Sequence, residues 1–215
     1  MKHTKTIALI SLSGCLLFFV IVCSLHFLRP DKNMLSCFVS EYAVGNYSWL
    51  MKVAGYSLTI ASALLLTGLS MNIKASKKSI ASPGIFCIGF LLLTIFPTDV
   101  PVVPPTPHGL IHALAALIAL ISLAISMFTW SSVFKKTENW KSFAKPAMFF
   151  GVVSRVLFIV HFVSPIPLRG LTQRILLVWD ISWLIWLAGN CTSMQQALWH
   201  QPMLRNNFLL AEITA

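Results

Sequence analysis

Negative charge is scarce in this sequence. Asp and Glu number 6 against 16 Lys and Arg, and only 10% of its 215 residues are charged. Soluble domains carry roughly 25% charged residues, so a water-facing surface over most of the chain is excluded. Disulfide and metal signatures are missing as well. Cys15, Cys23, Cys87 and Cys191 fall inside apolar runs, where cysteine acts as a small hydrophobe, and Cys37 stands alone in a loop. There is no CxxC pair, no Cys/His ladder and no HExxH helix. Alternation of polar and apolar residues at strand length is also absent, which excludes a closed β-barrel.

What the chain does contain is apolar length: 57% of it is hydrophobic and its mean hydropathy is +0.80. A bilayer core needs roughly 20 mostly apolar residues in helical form. Six stretches meet that requirement, at 7–28, 47–71, 80–97, 108–134, 146–163 and 171–199. Turn and charge signals separate them, among them Arg29-Pro30-Asp31-Lys32-Asn33, Phe96-Pro97-Thr98-Asp99 and the proline-rich connector from Pro101 to Pro107. The expected architecture is therefore all-α, a single polytopic membrane domain over 1–215 built as a bundle of six transmembrane helices. A bacterial lipoprotein cleavage box, Leu12-Ser13-Gly14-Cys15, competes for the first stretch. The chain stays apolar beyond Cys15 where a lipid-anchored cysteine would lead into a polar tether, so a spanning helix is the better reading.

Lysine and arginine placement sets the orientation. With the N-terminus cytoplasmic, ten cations lie inside: Lys2, Lys5, Lys74, Lys77, Lys78, Lys135, Lys136, Lys141, Lys145 and Arg205. Arg29, Lys32, Arg169 and Arg174, four in all, lie outside. Both termini are thus expected in the cytoplasm, and the protein in the cell membrane, the inner one in a Gram-negative cell. Trp49, Trp130 and Trp199 fall near span ends, as interfacial anchors do. The net charge of +10 is spread in short clusters between apolar runs, which argues against a nucleic-acid partner and for membrane lipids.

Ionisable groups in a membrane need a partner or a watered cavity. Lys52, Asp99, His108, His112, Arg155, His161, Arg174 and Asp180 all lie between the predicted outer face and mid-membrane. That asymmetry predicts an outward-facing polar pocket. His108 and His112, four residues apart, share a helical face, and Lys52, Tyr56 and Thr59 form a polar stripe. Arg155 and Asp180 stand at similar depth on consecutive antiparallel helices, so an intramembrane ion pair is expected, more as glue between helices than as chemistry. Asp99 or His161 can add a ligand to the two histidines, and His112 can face His161 across a haem, but no signature supports either arrangement. Neither a metal nor a cofactor is expected. The stripe Trp179, Trp183, Trp186 fits lipid contact or packing, while Arg169 and Arg174 are placed to hold a lipid phosphate.

Three segments together resemble a known family: Tyr42-Ala43-Val44-Gly45-Asn46-Tyr47-Ser48-Trp49-Leu50-Met51, Phe96-Pro97-Thr98-Asp99 with Gly109-Leu110-Ile111-His112, and Gly170-Leu171-Thr172-Gln173-Arg174. They are similar to those of the bacterial and archaeal six-span membrane proteins grouped as domain of unknown function 998. Val100 intervenes before Pro101 here, where that family more often has proline directly. The resemblance implies a six-span fold and marks Asp99, His112 and Arg174, without implying an activity.

Four functions follow as expectations. In the favoured one, Asp99, His108, His112, Arg169 and Arg174 line an outer pocket for a lipid or a small amphipathic anion. In the second, an intramembrane hydrolase or transferase acts on lipid, with Asp99 orienting His112 as general base. A transporter is disfavoured because no inverted repeat or matched pair of broken helices is visible. A structural subunit of a membrane complex is the fourth.

Overall fold

The computed structural model describes residues 2–100 and 104–200, with side chains described over 5–100 and 104–192. Pro101 and Arg205 lie outside the described residues, as do the side chains of Lys2 and Trp199. The fold is six long helices with no strand among the described residues: α1 (Lys2–Leu28), α2 (Ser48–Asn72), α3 (Lys77–Ile95), α4 (Pro107–Lys136), α5 (Ala144–Val163) and α6 (Arg169–His200). All six are long and apolar enough to cross a membrane. Helices are the form such runs must take, because hydrocarbon offers no partner for an open backbone N–H or C=O.

Each end is set by local chemistry. Ser76 caps α3, its hydroxyl accepting from Ser79 N–H, and Thr106 caps α4 in the same way, accepting from Gly109 N–H with Pro107 behind it. The cap at Ser76 draws α3 back to Lys77, three residues before the apolar run begins at Ile80.

Every helix packs against its neighbours in sequence, and α6 closes back onto α1, so the bundle is a ring in which α2 also touches α6. Small residues allow the approach. A Cβ on Gly14 would meet Ala61 Cβ at 2.8 Å, and one on Gly89 would meet the Ala115 carbonyl at 3.0 Å. Gly55 seats Thr94, and Gly151 receives the Phe128 ring. Outward, the bundle shows a belt of aliphatic side chains, including Val20, Ile60, Ile88, Ile118 and Ile159, all at least half exposed. In water such a belt would drive aggregation; in a bilayer it is the solvated surface.

Up-and-down order alternates the connections between the two ends. The α2–α3 and α4–α5 turns share one end with Lys74, Lys77, Lys78, Lys135, Lys136, Lys141 and Lys145. The α1–α2, α3–α4 and α5–α6 connections share the other, called the loop end below.

Candidate functional site

At the loop end, three arginine- and glycine-centred knots hold the connections down. The first is at Arg29, which is 6% exposed. Its Nε and Nη2 donate to Asp31 at 2.8 Å each, and Nη1 donates to the carbonyls of Val44 and Asn46 at 2.9 and 2.7 Å. The guanidinium lies beside Gly45, whose φ of +83° is left-handed backbone that glycine adopts without cost, and Tyr47 follows at φ +59°. Asp31 is lowered below the usual carboxylate range because Arg29 donates to it, and Arg29 is raised in turn. Nearby, Lys32 donates to Glu41 at 2.9 Å, and the other oxygen of that 3% exposed carboxylate accepts from Phe38 N–H.

The second knot joins α3 to α4. Asp99 accepts from both Thr106 N–H and Thr106 Oγ, at 2.7 Å each. Those hydrogen bonds, the hydroxyl's first, hold its carboxyl below the ordinary range. In the opposite direction, His112 on α4 donates its Nδ1 proton to the carbonyls of Phe96 and Leu93, at 2.8 and 3.0 Å, satisfying the open end of α3. The connector thus braces the start of α4 while α4 caps the end of α3. Glycine is required at 109, because a Cβ there would run into the Asp99 carboxylate. His108, one turn before His112, is exposed and stacks on Phe96, with ring centres 5.6 Å apart.

The third knot ties the α1–α2 loop to α6. Arg174 Nε donates to His26 Nε2 at 2.8 Å, while Nη1 donates to the carbonyls of Cys37, Met34 and Gly170 at 2.6, 2.9 and 2.9 Å. Nη2 reaches Tyr42 Oη at 3.3 Å, and His26 packs edge-on against that ring. His26 Nδ1 donates to Val22 O at 2.6 Å, so the imidazole carries its proton on Nδ1 and receives Arg174 on Nε2. One residue earlier on α6, Gln173 Oε1 accepts from Val39 N–H at 2.7 Å, and Leu171 N–H donates to Leu35 O at 3.0 Å.

Two cavities open among these elements. One, of about 340 Å³, lies between α1 and α6 and is lined by Phe18, Phe19, Val22, Cys23, His26, Phe27, Met34, Val39, Arg174, Leu177, Val178 and Ile181. It is apolar except at Arg174 and His26, and Phe27 and Val178 at its rim are exposed on the lipid-facing surface. The other, about 60 Å³, lies in the middle of the ring and is reached by His112, Ser40 and Gln173.

The expected residues are therefore not gathered in one pocket. Arg174 lines the larger cavity and His112 the smaller, while Asp99, His108 and Arg169 line neither. Asp99 and His112 do not contact each other through a hydrogen bond; each is spent on a helix end. Arg169 Nε donates to Ser164 O at 3.1 Å.

The expected Arg155–Asp180 ion pair is not made. Asp180, 1% exposed, accepts from Ser154 Oγ at 2.6 Å, and its Oδ2 has no hydrogen-bond partner. Arg155 is exposed and lies over the Phe128 ring, 4.5 Å from its centre. Lys52 and Tyr56 are exposed, whereas the tryptophan stripe is packing: Trp179, Trp183 and Trp186 cluster with Phe150, and Trp179 Nε1 donates to Phe150 O at 3.0 Å. His161 is engaged at Thr172 Oγ, 3.0 Å away, and against the Phe38 ring. No group of three or more His, Cys, Asp or Glu side chains is placed to hold a metal among the described residues.

Residues that the sequence did not mark as site candidates carry much of this end: His26 and Glu41, Arg29 and Lys32, noted only as outside cations, and Tyr42 and Gln173, noted only within the resembling segments. His26 in the last turn of α1, with Arg29 just past its end, was the available signal. The three segments noted for their resemblance form or adjoin the three knots.

Comparison with curated proteins and with solved structures returned no match. A family model described as protein of unknown function (DUF998) matches residues 12–190. With most of its length matched and six membrane-crossing helices in place, the chain belongs to that family, DUF998.

Proposed function

We propose that the protein binds a lipid or another amphipathic anion in the cavity between α1 and α6, with the acidic group at Arg174 and the apolar portion along Phe18, Val22 and Leu177. The observation that carries this reading is the charge state of that cavity. Arg174 is a permanent cation whose acceptors are three carbonyls, an imidazole and a phenol, all neutral. No carboxylate pairs with it among the described residues. An uncompensated charge at the end of an apolar slot favours an anion with a hydrocarbon tail. The volume of about 340 Å³ is at the small end for ligand sites, and the lipid-facing rim gives a tail somewhere to continue.

The lysine-rich end is assigned to the cytoplasm by the positive-inside rule, which puts the cavity in the outer half of the membrane.

The test is to fill the slot without touching Arg174. Val178→Phe and Cys23→Phe change rim residues that make no side-chain hydrogen bond at the knot. A fluorescent long-chain fatty acid and a dansylated phosphatidylglycerol serve as probes of the detergent-purified protein. Both variants are expected to lower probe affinity about tenfold, or about 1.4 kcal/mol, at unchanged melting temperature. Unaltered binding of both probes would sink the reading.

A further inference from the structure

At the opposite end of the bundle, a larger depression lies between the α2–α3 turn and the last turns of α4. It has a volume of about 810 Å³ and its walls carry Lys74, Lys78 and Lys136, with Asn72, Ser76 and Thr137 among them. All three lysines are exposed, and none takes part in an ion pair among the described residues. The one acid on its rim, Glu138, is 3.7 Å from Lys141 and largely solvated.

The backbone around the depression is prepared for negative charge. Ser76 is the N-cap of a 19-residue helix, so the N–H groups of Lys77 and Lys78 lack helical acceptors and α3 presents its positive end there. The negative end of α4 faces the same space, but it is partly quenched. Thr137 N–H takes the Phe134 carbonyl, Thr137 Oγ takes the Val133 carbonyl, and Lys135 and Lys136 occupy its last turn. Thr129 in its lining is tied to α3 by Ser82, the two hydroxyls lying 3.2 Å apart. Met71 and Ile80, next in sequence to the lining residues Asn72 and Ser79, are exposed apolar side chains.

We propose that this depression binds the phosphate group of an anionic phospholipid, with Lys74, Lys78 and Lys136 converging on it and the acyl chains passing beside Met71 and Ile80. Three mobile ammonium groups around a wet, hydroxyl-lined hollow suit a phosphodiester, which accepts hydrogen bonds from several directions. Basic hollows between helix ends at the headgroup level are where such lipids are retained by electrostatics. The apolar flanks distinguish this from a site for a freely soluble phosphate. The site is independent of the α1/α6 cavity, sharing no residue with it.

The experiment compares two triple variants of equal charge. Lys74→Gln/Lys78→Gln/Lys136→Gln removes the lining cations, and Lys5→Gln/Lys135→Gln/Lys145→Gln removes three from the same end that do not line the hollow and leaves the Lys141 partner of Glu138 in place. The full chain is titrated with phosphatidylglycerol, with phosphatidylcholine of the same acyl chains, and with glycerol 1-phosphate, read by native mass spectrometry and melting temperature. The same titrations in the Val178→Phe background separate lipid held at this end from lipid held between α1 and α6. The lining triple is expected to lose about tenfold in phosphatidylglycerol affinity, with the control triple within about twofold of the native chain. Phosphatidylcholine and glycerol 1-phosphate should bind weakly to all forms. Equal losses in the two triples would overturn the site in favour of diffuse surface attraction. Binding of glycerol 1-phosphate as tight as that of the lipid would overturn the lipid as its occupant.

Discussion

Asp99 accepts two hydrogen bonds from a single residue, Thr106, one from its backbone N–H and one from its hydroxyl. The same hydroxyl accepts from Gly109 N–H at 3.1 Å, so carboxylate, threonine and helix start form one chain of donors and acceptors. This makes Asp99 a part of the α4 cap. Asp99→Asn should therefore lower the melting temperature, and Thr106→Ala, which removes the cap hydroxyl, should cost about 1 kcal/mol. Loss of a binding or catalytic activity with folding intact would contradict that assignment.

His112→Ala should destabilise by about 1–2 kcal/mol, because the carbonyls of Leu93 in α3 and of its C-cap residue Phe96 lose their donor. His112→Asn keeps a donor and should recover part of it. Thermal denaturation of the detergent-solubilised protein measures both.

Gly170→Ala is predicted to be among the worst single changes. A Cβ there would approach the Cys37 carbonyl to 2.5 Å and the Leu35 carbonyl to 2.8 Å, both backbone atoms of a loop pinned by Arg174 and Gln173. The added methyl must lift the loop from α6, a loss of about 2–3 kcal/mol. Protease nicking within residues 29–47 should rise in parallel; an unchanged digestion pattern would count against the clamp.

Spans were legible in the sequence because length and apolarity alone decide them, and their limits moved by only a few residues where a cap such as Ser76 extended the helix. Side-chain partners were not legible, for a geometric reason. Depth along a helix can be counted, but rotation about its axis cannot be read without knowing the neighbour. Arg155 and Asp180 do stand at similar depth. Ser154, one residue and about 100° of rotation away, is the side chain that faces Asp180 instead. The same limit hid the division of Asp99, His112 and Arg174 between a helix cap, a small central cavity and the α1/α6 slot.

Ser154→Ala should accordingly cost about 0.5–2 kcal/mol by leaving both Asp180 oxygens without a donor. Arg155→Gln, by contrast, should fall within about 0.5 kcal/mol of the native protein, since only the ring contact is lost. An Arg155→Gln effect as large as that of Ser154→Ala would restore the ion pair.

Acid should loosen the loop end late. Asp31 and Asp99 both have folded-state pKa values depressed by their donors, Arg29 and Thr106. Their stabilisation is thus fully present above the unfolded value of about 3.9 and is lost as pH falls through the lower folded value. Hydrogen exchange across residues 104–109, where Asp99 and Thr106 meet, should be flat from about pH 7 down to about pH 5, after correction for the intrinsic rate, and should rise only in stronger acid. A rise near neutrality would mean that other groups control this connection.

The slot that holds Arg174 is built from the first and the last of the six spans, with the ring closed only where α6 meets α1. During synthesis it therefore has one wall until the sixth helix is released into the membrane. A ligand seated there reports that α1 and α6 have met, and any that stabilises the slot acts on that ring closure rather than on the hairpins formed before it.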